Sequence, residues 1–445
     1  MDTYLLDWAS LLLRWAHVIV AIAWIGSSFY FVFLDNSLLK PDDPALKAKG
    51  VDGELWAVHG GGFYNPQKYL VAPKSLPEHL HWFFWESYST WLTGFALFTV
   101  VYLFNASTFL VDKNVFDWSP TAAVAAALAF LAVFWIVYDL ICRWVGEKQG
   151  RVGGDAIVGA LVLVYIVAAS WAACQLFAGR AAFLMVGAMI ATAMSANVFF
   201  WIIPGQRTVI AQMKAGQPVQ AIHGQRAKQR SVHNTYFTLP VLVAMLSNHY
   251  GWLYQGRHNW LVLVLLMLAG AFIRHSFVVR HKALAQGRRV PWEYAVGGTA
   301  LVIGVAIWLA PAPQALAAAA PARVSLAEVK AVIDQRCVLC HNAQVQQKNV
   351  ALHTPELIQR HAQAVYQQAV VLRLMPMNNA TQVTDAERAL IKRWFEAGAA
   401  QPSRRLQHGV VALRHCASDG VRFAICDLRF AVRGEWLFHL LAWAG

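Results

Sequence analysis

Three residues towards the C-terminal end of the chain have the types and the spacing that hold a haem. Cys337, Cys340 and His341 form the pattern Cys-x-x-Cys-His, in which two thiols can add to the haem vinyl groups and the next imidazole can ligate the iron. A zinc site would need a second ligand pair, and Cys416 and Cys426 are wrongly spaced for it. A redox dithiol would need a βαβ setting, which the surrounding pattern lacks. The pattern therefore predicts one covalent c-type haem.

The second axial ligand is expected in the segment "RLMPMNNAT". The segment resembles small class I cytochromes c, which usually present this ligand in a Met-Pro pair, so Met375 is the predicted iron ligand beside His341. Met377 is the alternative. Both could instead be core methionines, but the polar neighbours Asn378 and Asn379 weaken that interpretation.

Residues 325–400 have the pattern of a small helical domain around this haem. Ser325 and Glu328 stand at capping-box spacing before a helix that leads into the cysteines. Thr384 is the expected N-cap of a second helix. A domain of this size buries little core by itself, and a bound haem would supply the missing part.

The rest of the chain has the composition of a membrane protein. Of 445 residues, 58% are hydrophobic and 14% are charged. The net charge of +13 does not indicate nucleic-acid binding, because the Lys and Arg residues lie between long apolar stretches rather than along one polar face. The apolar stretches predict about eight membrane spans, near 9–34, 83–104, 121–143, 155–178, 182–203, 235–253, 258–280 and 294–312.

The connecting segments alternate in charge. Segments 35–82, 143–154, 204–234 and 280–293 carry 17 Lys and Arg residues, and the segments that alternate with them carry three. The positive-inside rule places the four basic segments in the cytoplasm. The sequence thus predicts a multi-pass protein of the bacterial cytoplasmic (inner) membrane, with the N-terminus and the cytochrome c domain on the periplasmic side.

The predicted fold is all-α, a polytopic membrane helix bundle followed by a small class I-like cytochrome c domain. Residues 1–312 form the membrane domain, with 35–82 as a long cytoplasmic loop, and 313–324 form a Pro/Ala linker to the domain at 325–400. The tail 401–445 has six Arg and no Lys. It is atypical, and a non-homologous extension or a disordered segment are its two interpretations.

Three stretches carry a family resemblance. The first helix (11–39), the loop and helix at 54–95 that include "ELWAVHGGGFYNPQKYL", and "MPMNNATQVTDAERALIKRW" (375–394) resemble bacterial membrane-bound urate oxidases, also called urate hydroxylases. The resemblance implies oxidation of urate to 5-hydroxyisourate. It also implies that electrons pass to the fused c-type haem and on to the respiratory chain, through a soluble cytochrome or a terminal oxidase.

The loop 35–82 contains the candidate substrate residues. Urate is a planar anion near neutral pH, so its site should combine cations, hydrogen-bonding groups and aromatic faces. The candidates in the loop are His59, Tyr64, Lys68, His79 and His81. The alternative is a structural plug over the helix ends, anchored by Trp56, Phe63 and Tyr69. The two roles are compatible.

Ionisable residues inside the predicted spans are costly in lipid and need partners. Arg14 and His17 share one face of the first helix, and His249 is near the outer end of the sixth. His17 and His249 could hold a haem b between two helices, with Arg14 beside its propionates; the alternative for each His is a helix-to-helix hydrogen bond. Arg274 and His275 lie near the inner end of the seventh span.

A haem b would matter for electron transfer. If urate binds at the cytoplasmic loop, its electrons must cross a hydrocarbon core of roughly 30 Å, which requires an intermediate carrier. If the site instead opens outward near Arg14 and His17, the c-type haem could accept electrons directly.

Two other functions fit parts of the pattern. One is a respiratory electron-transfer subunit, which passes electrons from quinol or a dehydrogenase to the cytochrome without urate chemistry. The other is a haem or metal transport or sensing protein with a regulatory cytochrome. Neither predicts reduction of the haem by urate.

Overall fold

The computed structural model describes residues 2–69, 72–310, 324–347 and 350–399, and it is mostly helical. The predicted tail 401–445 lies outside these residues, as does the predicted linker except for Val324. Between residues 2 and 310, leaving out 70–71, eight helices or continuous helical stretches stand where the sequence predicts spans. They are α1 (Asp2–Ser37), α3 (Trp85–Phe98, continued by a π-helix at Thr99–Leu103), α5 (Pro120–Trp144), α6 (Asp155–Leu176), α7 (Gly179–Ala196, continued by a π-helix at Asn197–Ile202 and by α8, Ile203–Lys214), α9 (Ala221–Leu246), α10 (Asn259–Ala285) and α11 (Glu293–Trp308).

Five helices in the described part of the chain are long and apolar enough to cross a membrane. They are Trp8–Ser37, Pro120–Trp144, Asp155–Leu176, Gly179–Lys214 and Asn259–Ala285. The other three predicted spans fall on α3 and α11, which are short, and on α9, whose first half is strongly basic. The count of eight spans therefore stays a prediction.

Ion pairs and hydrogen bonds gather three of the basic segments at one end of the bundle. Arg226 of α9 donates two hydrogen bonds, of 2.9 and 2.7 Å, to Glu147 in the turn between α5 and α6. Lys68 of the 35–82 loop and Lys228 of α9 both pair with Asp35 near the end of α1. His281 near the end of α10 packs edge-on against Phe33 of α1, with ring centroids 4.9 Å apart, and this contact brings the fourth basic segment to the same end. We call this end of the bundle, where the four basic segments meet, the basic end.

The opposite end is joined by a second set of bonds. Tyr102 and Arg180 both donate to the Asn248 side chain, at 2.7 and 3.1 Å. The backbone N–H of Ala178 donates to Leu110 O, and the Trp118 indole donates to Leu176 O. The connections α3–α5, α6–α7 and α9–α10 therefore meet here, and the first of them contains the short helix α4 (Ala106–Phe109). Alternate connections thus meet at opposite ends of the bundle, as the charge pattern requires, and the orientation in a membrane stays a prediction.

Helix α7 forms the centre of the bundle. Its side chains are mostly small or flexible, and most are buried against α5, α6 and α9. Gly187 allows the close approach of α9, because a Cβ there would lie 3.0 Å from the Cβ of Ala244. Small residues at helix crossings are typical of helix packing in membranes.

The loop 35–82 folds into short elements outside the helix bundle. Helix α2 (Pro44–Lys49) precedes strand β1 (Val51–Glu54), which pairs antiparallel with β4 (Gln67–Tyr69). Strands β2 (Ala57–His59) and β3 (Gly62–Tyr64) form a hairpin. Its two turn residues, Gly60 and Gly61, have φ of +58° and +80°, which favour glycine. A third strand pair, β5 (Glu147–Lys148) with β6 (Arg151–Val152), joins α5 to α6.

Residues 324–399 form a small helical unit, leaving out 348–349. Its helices are α12 (Leu326–Arg336), α13 (Pro355–Arg360), α14 (Ala362–Val365), which continues as a π-helix to Val371, and α15 (Asp385–Glu396). The predicted capping box of Ser325 and Glu328 is confirmed, and Thr384 is confirmed as an N-cap, with Glu387 completing its box. A core that includes Val329, Ile333, Ile391 and Trp394 lies between α12 and α15.

Candidate functional site

Helix α12 presents the two cysteines and the histidine at its C-terminal end. Cys337 is its C-cap, and its N–H donates to Ile333 O at 2.8 Å. The backbone N–H of His341 donates to Cys337 O at 3.1 Å, so the three residues share one tight turn. His341 Nδ1 lies 2.9 Å from the carbonyl oxygen of Val350. This bond makes Nδ1 a donor and leaves Nε2 free as a ligand.

Cys337 and Cys340 are both free thiols with different exposure. Burial raises the pKa of the Cys337 thiol to about 11, so without a bound group the neutral thiol is the form present near neutral pH. Within residues 2–399, where described, no cluster of three or more His, Cys, Asp or Glu side chains could hold a metal ion. A haem iron with one His and one Met ligand needs no such cluster.

The predicted methionine ligands lie in the segment 372–382 that precedes α15. Both Met375 and Met377 are half-buried. Arg388 of α15 is 4% exposed and donates to Met375 O at 2.9 Å and to Asn379 Oδ1 at 3.3 Å. One buried guanidinium therefore fixes the backbone of this segment against α15.

The same segment is where the small helical unit contacts the bundle. Asn378 Nδ2 donates to Thr108 O at 2.7 Å, and Gln382 Nε2 donates to Asn114 Oδ1 at 3.2 Å. On the other side, a Cβ at Gly251 would lie 2.5 Å from Leu372 O, which shows how closely the two backbones approach. These contacts involve the α3–α5 and α9–α10 connections, so the unit lies opposite the basic end. We call this the docking end.

The five candidate substrate residues of the 35–82 loop lie at the surface, and their role in binding stays a prediction. Those residues, His59, Tyr64, Lys68, His79 and His81, are all exposed. Lys68 pairs with Asp35; burial, and then neighbouring Lys228, lower its pKa. The alternative of a packed plug is also not supported by two of its anchors, since Trp56 is 69% and Phe63 is 77% exposed.

His17 and His249 occupy different environments. His17 Nδ1 lies 3.1 Å from Thr93 Oγ1 of α3, and its ring fills the space left by Gly94. This is the helix-to-helix hydrogen bond that was the alternative to haem ligation. His249 is exposed in the turn after α9, at the docking end, and within the described residues no bond or ring contact joins it to His17. A haem b between them stays a prediction.

A buried polar network crosses α5, α7 and α9. Arg230 Nη2 donates to Asp139 Oδ1 at 2.7 Å, and Asn197 at the start of the π-helix donates to the Tyr138 hydroxyl at 2.9 Å. The Tyr138 hydroxyl lies 2.8 Å from His233 Nδ1. Arg230 is 2% exposed and lies over the rings of Tyr138 and Trp201. The network links charged, amide, hydroxyl and imidazole groups through direct hydrogen bonds, an arrangement that can hold or move a proton.

One comparison with known proteins decides the family. A family model described as Urate oxidase N-terminal matches residues 3–310. The chain belongs to this family. No curated protein and no solved structure gives a significant match.

The Urate oxidase N-terminal match covers the helix bundle and the 35–82 loop, and it ends before α12. Membership of the Urate oxidase N-terminal family supports an oxidoreductase that acts on urate. The helical unit with Cys337, Cys340 and His341 lies outside the matched residues. Its predicted role rests on its own residues.

The polar network is not evident from the sequence, although one signal points to it. Asp139 and Arg230 are ionisable residues in or beside predicted spans, and such residues indicate function or a buried pair. Asn197 carried no such signal, because a single Asn in an apolar run is common at helix crossings. Arg230 bonds to Asp139, which is 91 positions away in the sequence, and to Asn197, which is 33 positions away. Only the fold shows that these residues meet.

Proposed function

We propose that this protein oxidises urate to 5-hydroxyisourate in the membrane and passes the electrons to a c-type haem carried by residues 324–399. The observation that carries the proposal is the Urate oxidase N-terminal match over residues 3–310, in one chain with a Cys-x-x-Cys-His segment docked on the bundle. The reaction adds one water to urate and releases two electrons and two protons. No oxygen is consumed in this balance.

The residues around Cys337 fit a haem. Cys337 and Cys340 would hold it covalently, with His341 and Met375 as its iron ligands. His341 Nε2 is free to ligate because Nδ1 is bonded to Val350 O. Two buried nitrogens of the same unit, His353 Nδ1 and Trp394 Nε1, have no hydrogen-bond partner among the described residues. The Trp394 indole N–H can only donate, and a donor of this kind suits a carboxylate such as a haem propionate.

When bound, a haem at this site supplies one-electron transfer to a soluble cytochrome or a terminal oxidase. The chain's own residues determine where it is held. Arg388 fixes the Met375 segment, and Asn378 and Gln382 attach that segment to the docking end. These two bonds support a position of the predicted ligand segment next to the helix bundle.

Anaerobic addition of urate to purified membranes tests the proposal. We expect the absorption bands of reduced c-type haem to appear with wild-type protein and to be absent in a Cys337→Ser, Cys340→Ser double variant. Ascorbate serves as a control donor, and product is followed as 5-hydroxyisourate. A preparation whose haem is reduced by ascorbate but not by urate would overturn the proposal.

The same preparation separates the alternative of a respiratory electron-transfer subunit. That function predicts reduction by quinol and none by urate. A haem or metal sensing protein predicts turnover with neither donor. A b-type band in the isolated double variant would support the predicted haem b at His17 and His249; full activity of wild-type protein without such a band would exclude it.

A further inference from the structure

Arg274 is a buried cation without an anion. It lies in the middle of α10, is 7% exposed, and its Nε and Nη2 atoms have no hydrogen-bond partner among the described residues. No Asp or Glu of the described chain forms an ion pair with it. A desolvated charge without a partner costs several kcal/mol, so an arginine kept here indicates a group that completes it.

The surroundings of Arg274 are aromatic. Its guanidinium carbon lies 3.6 Å from the centroid of the Phe29 ring of α1, which fixes the plane of the guanidinium. The next residue, His275, lies 2.8 Å from the Tyr236 hydroxyl of α9 and packs against Tyr294 of α11 with centroids 4.5 Å apart. Phe29 of α1 therefore lies against the unpaired cation, and Tyr236 of α9 and Tyr294 of α11 contact its neighbour His275.

The unpaired atoms of Arg274 define the shape of the missing partner. Nε and Nη2 form one edge of the guanidinium, and their two parallel N–H groups match a pair of adjacent acceptors on a planar anion. The urate monoanion has such a pair, a ring nitrogen beside a carbonyl oxygen, and its flat ring suits aromatic walls. A lipid phosphate or a haem propionate would satisfy the charge but would make no use of the rings.

We propose that Arg274 binds the urate anion through its Nε–Nη2 edge, in a site between α1, α9 and α10. This inference rests on the proposed function and locates its substrate. Phe29 stands eight residues before the end of α1, about 12 Å from the basic end along that helix. Urate therefore enters from the end of the bundle where the basic segments gather.

Substitution of Arg274 tests the site in the full-length membrane protein. In Arg274→Gln we expect the KM for urate in anaerobic haem reduction to rise about ten- to hundredfold, because the positive charge and the pair of parallel N–H donors are both lost. Arg274→Lys keeps the positive charge but loses the pair of parallel N–H donors, so its KM for urate should lie between those of wild type and Arg274→Gln. Arg288→Gln, which removes an exposed arginine beyond the same helix, is the matched control and should keep the wild-type KM.

A binding measurement separates substrate recognition from turnover. Protein whose haem is first reduced with dithionite cannot oxidise urate, so equilibrium dialysis with labelled urate reports binding alone. Wild type and Arg288→Gln should bind equally, and Arg274→Gln should bind at least about tenfold more weakly at equal haem content. Equal urate binding by Arg274→Gln and wild type would overturn this inference alone. Absence of haem reduction by urate in wild type would overturn the proposed function itself.

Discussion

Removing the carboxylate of Asp139 should destabilise the bundle strongly. Arg230 is 2% exposed, and Asp139 is its only carboxylate partner among the described residues, with Nη2 and Oδ1 2.7 Å apart. In Asp139→Ala the guanidinium stays buried with an amide contact at 3.4 Å to Asn197 and two aromatic faces. Breaking a buried pair in this way costs about 3–5 kcal/mol.

Two further variants separate the charge from the hydrogen bond. Asp139→Asn keeps an oxygen that can accept from Arg230, so we expect a loss of roughly 1.5–3 kcal/mol. The double variant Arg230→Met, Asp139→Leu removes both charges together, and its stability should return close to wild type, because replacing a whole buried pair by apolar groups is often neutral.

The assay is thermal inactivation of the detergent-solubilised protein, followed as the fraction that stays monodisperse. For Asp139→Ala the midpoint should fall by roughly 4–8 °C. Glu147→Ala is the matched control: it breaks an Arg–carboxylate pair on the same helix α9, but there the side chains of Arg226 and Glu147 are 31% and 17% exposed. The stability lost in Glu147→Ala should be about 1 kcal/mol. Equal midpoints for the two variants, or a double variant less stable than Asp139→Ala, would refute the reasoning.

Three other predictions follow from single contacts. Gly94→Ala places a Cβ 2.9 Å from His17 Cε1, so it should displace the His17 ring and lower the thermal midpoint by the equivalent of about 1–3 kcal/mol. Gly26→Ala is the control: its Cβ would meet no atom within 4 Å, so the midpoint should not change. Asn378→Ala removes a 2.7 Å bond between the small helical unit and the bundle. If the proposed function holds, stopped-flow haem reduction by urate should slow about two- to tenfold at unchanged KM, and an unchanged rate would show that the bond does not hold the unit in place. Burial raises the pKa of Glu387, but hydrogen bonds from Thr384 and Arg336 outweigh it and leave the pKa below its ordinary value. This stabilisation is therefore present above pH about 4.5 and is lost as the pH falls through the lowered pKa, so Glu387→Gln should flatten the acid unfolding profile of the unit; an unaltered profile would contradict this.

The features that were predicted well from the sequence depend on residues a few positions apart or on how the basic segments alternate along the chain. The capping boxes at Ser325 and Thr384 depend on residues three positions apart, so spacing alone locates both helix starts. The basic segments meet at one end because helices that alternate in direction must bring every second connection together. Asp35, which receives both Lys68 and Lys228, shows this across 193 positions of sequence.

The features that sequence missed depend on contacts between distant helices. The polar composition of the 35–82 loop did not indicate that β2 and β3 form a hairpin with His59 and Tyr64 at the surface, and the substrate role of these two residues stays a prediction. Composition does not reveal which face of a short strand is covered. The sequence shows Arg274 only as a charged residue in a predicted span. Its lack of a partner and its contact with Phe29 depend on how α1 crosses α10.

The distance between the two ends of the bundle limits how the proposed reaction can work. Arg274 lies fifteen residues after the start of α10, about 22 Å along the helix from the docking end. Electron tunnelling falls steeply with distance, and a single step of that length is too slow for turnover. A urate site at Arg274 therefore requires a carrier between it and the docked unit, which the predicted haem b at His17 and His249 would supply.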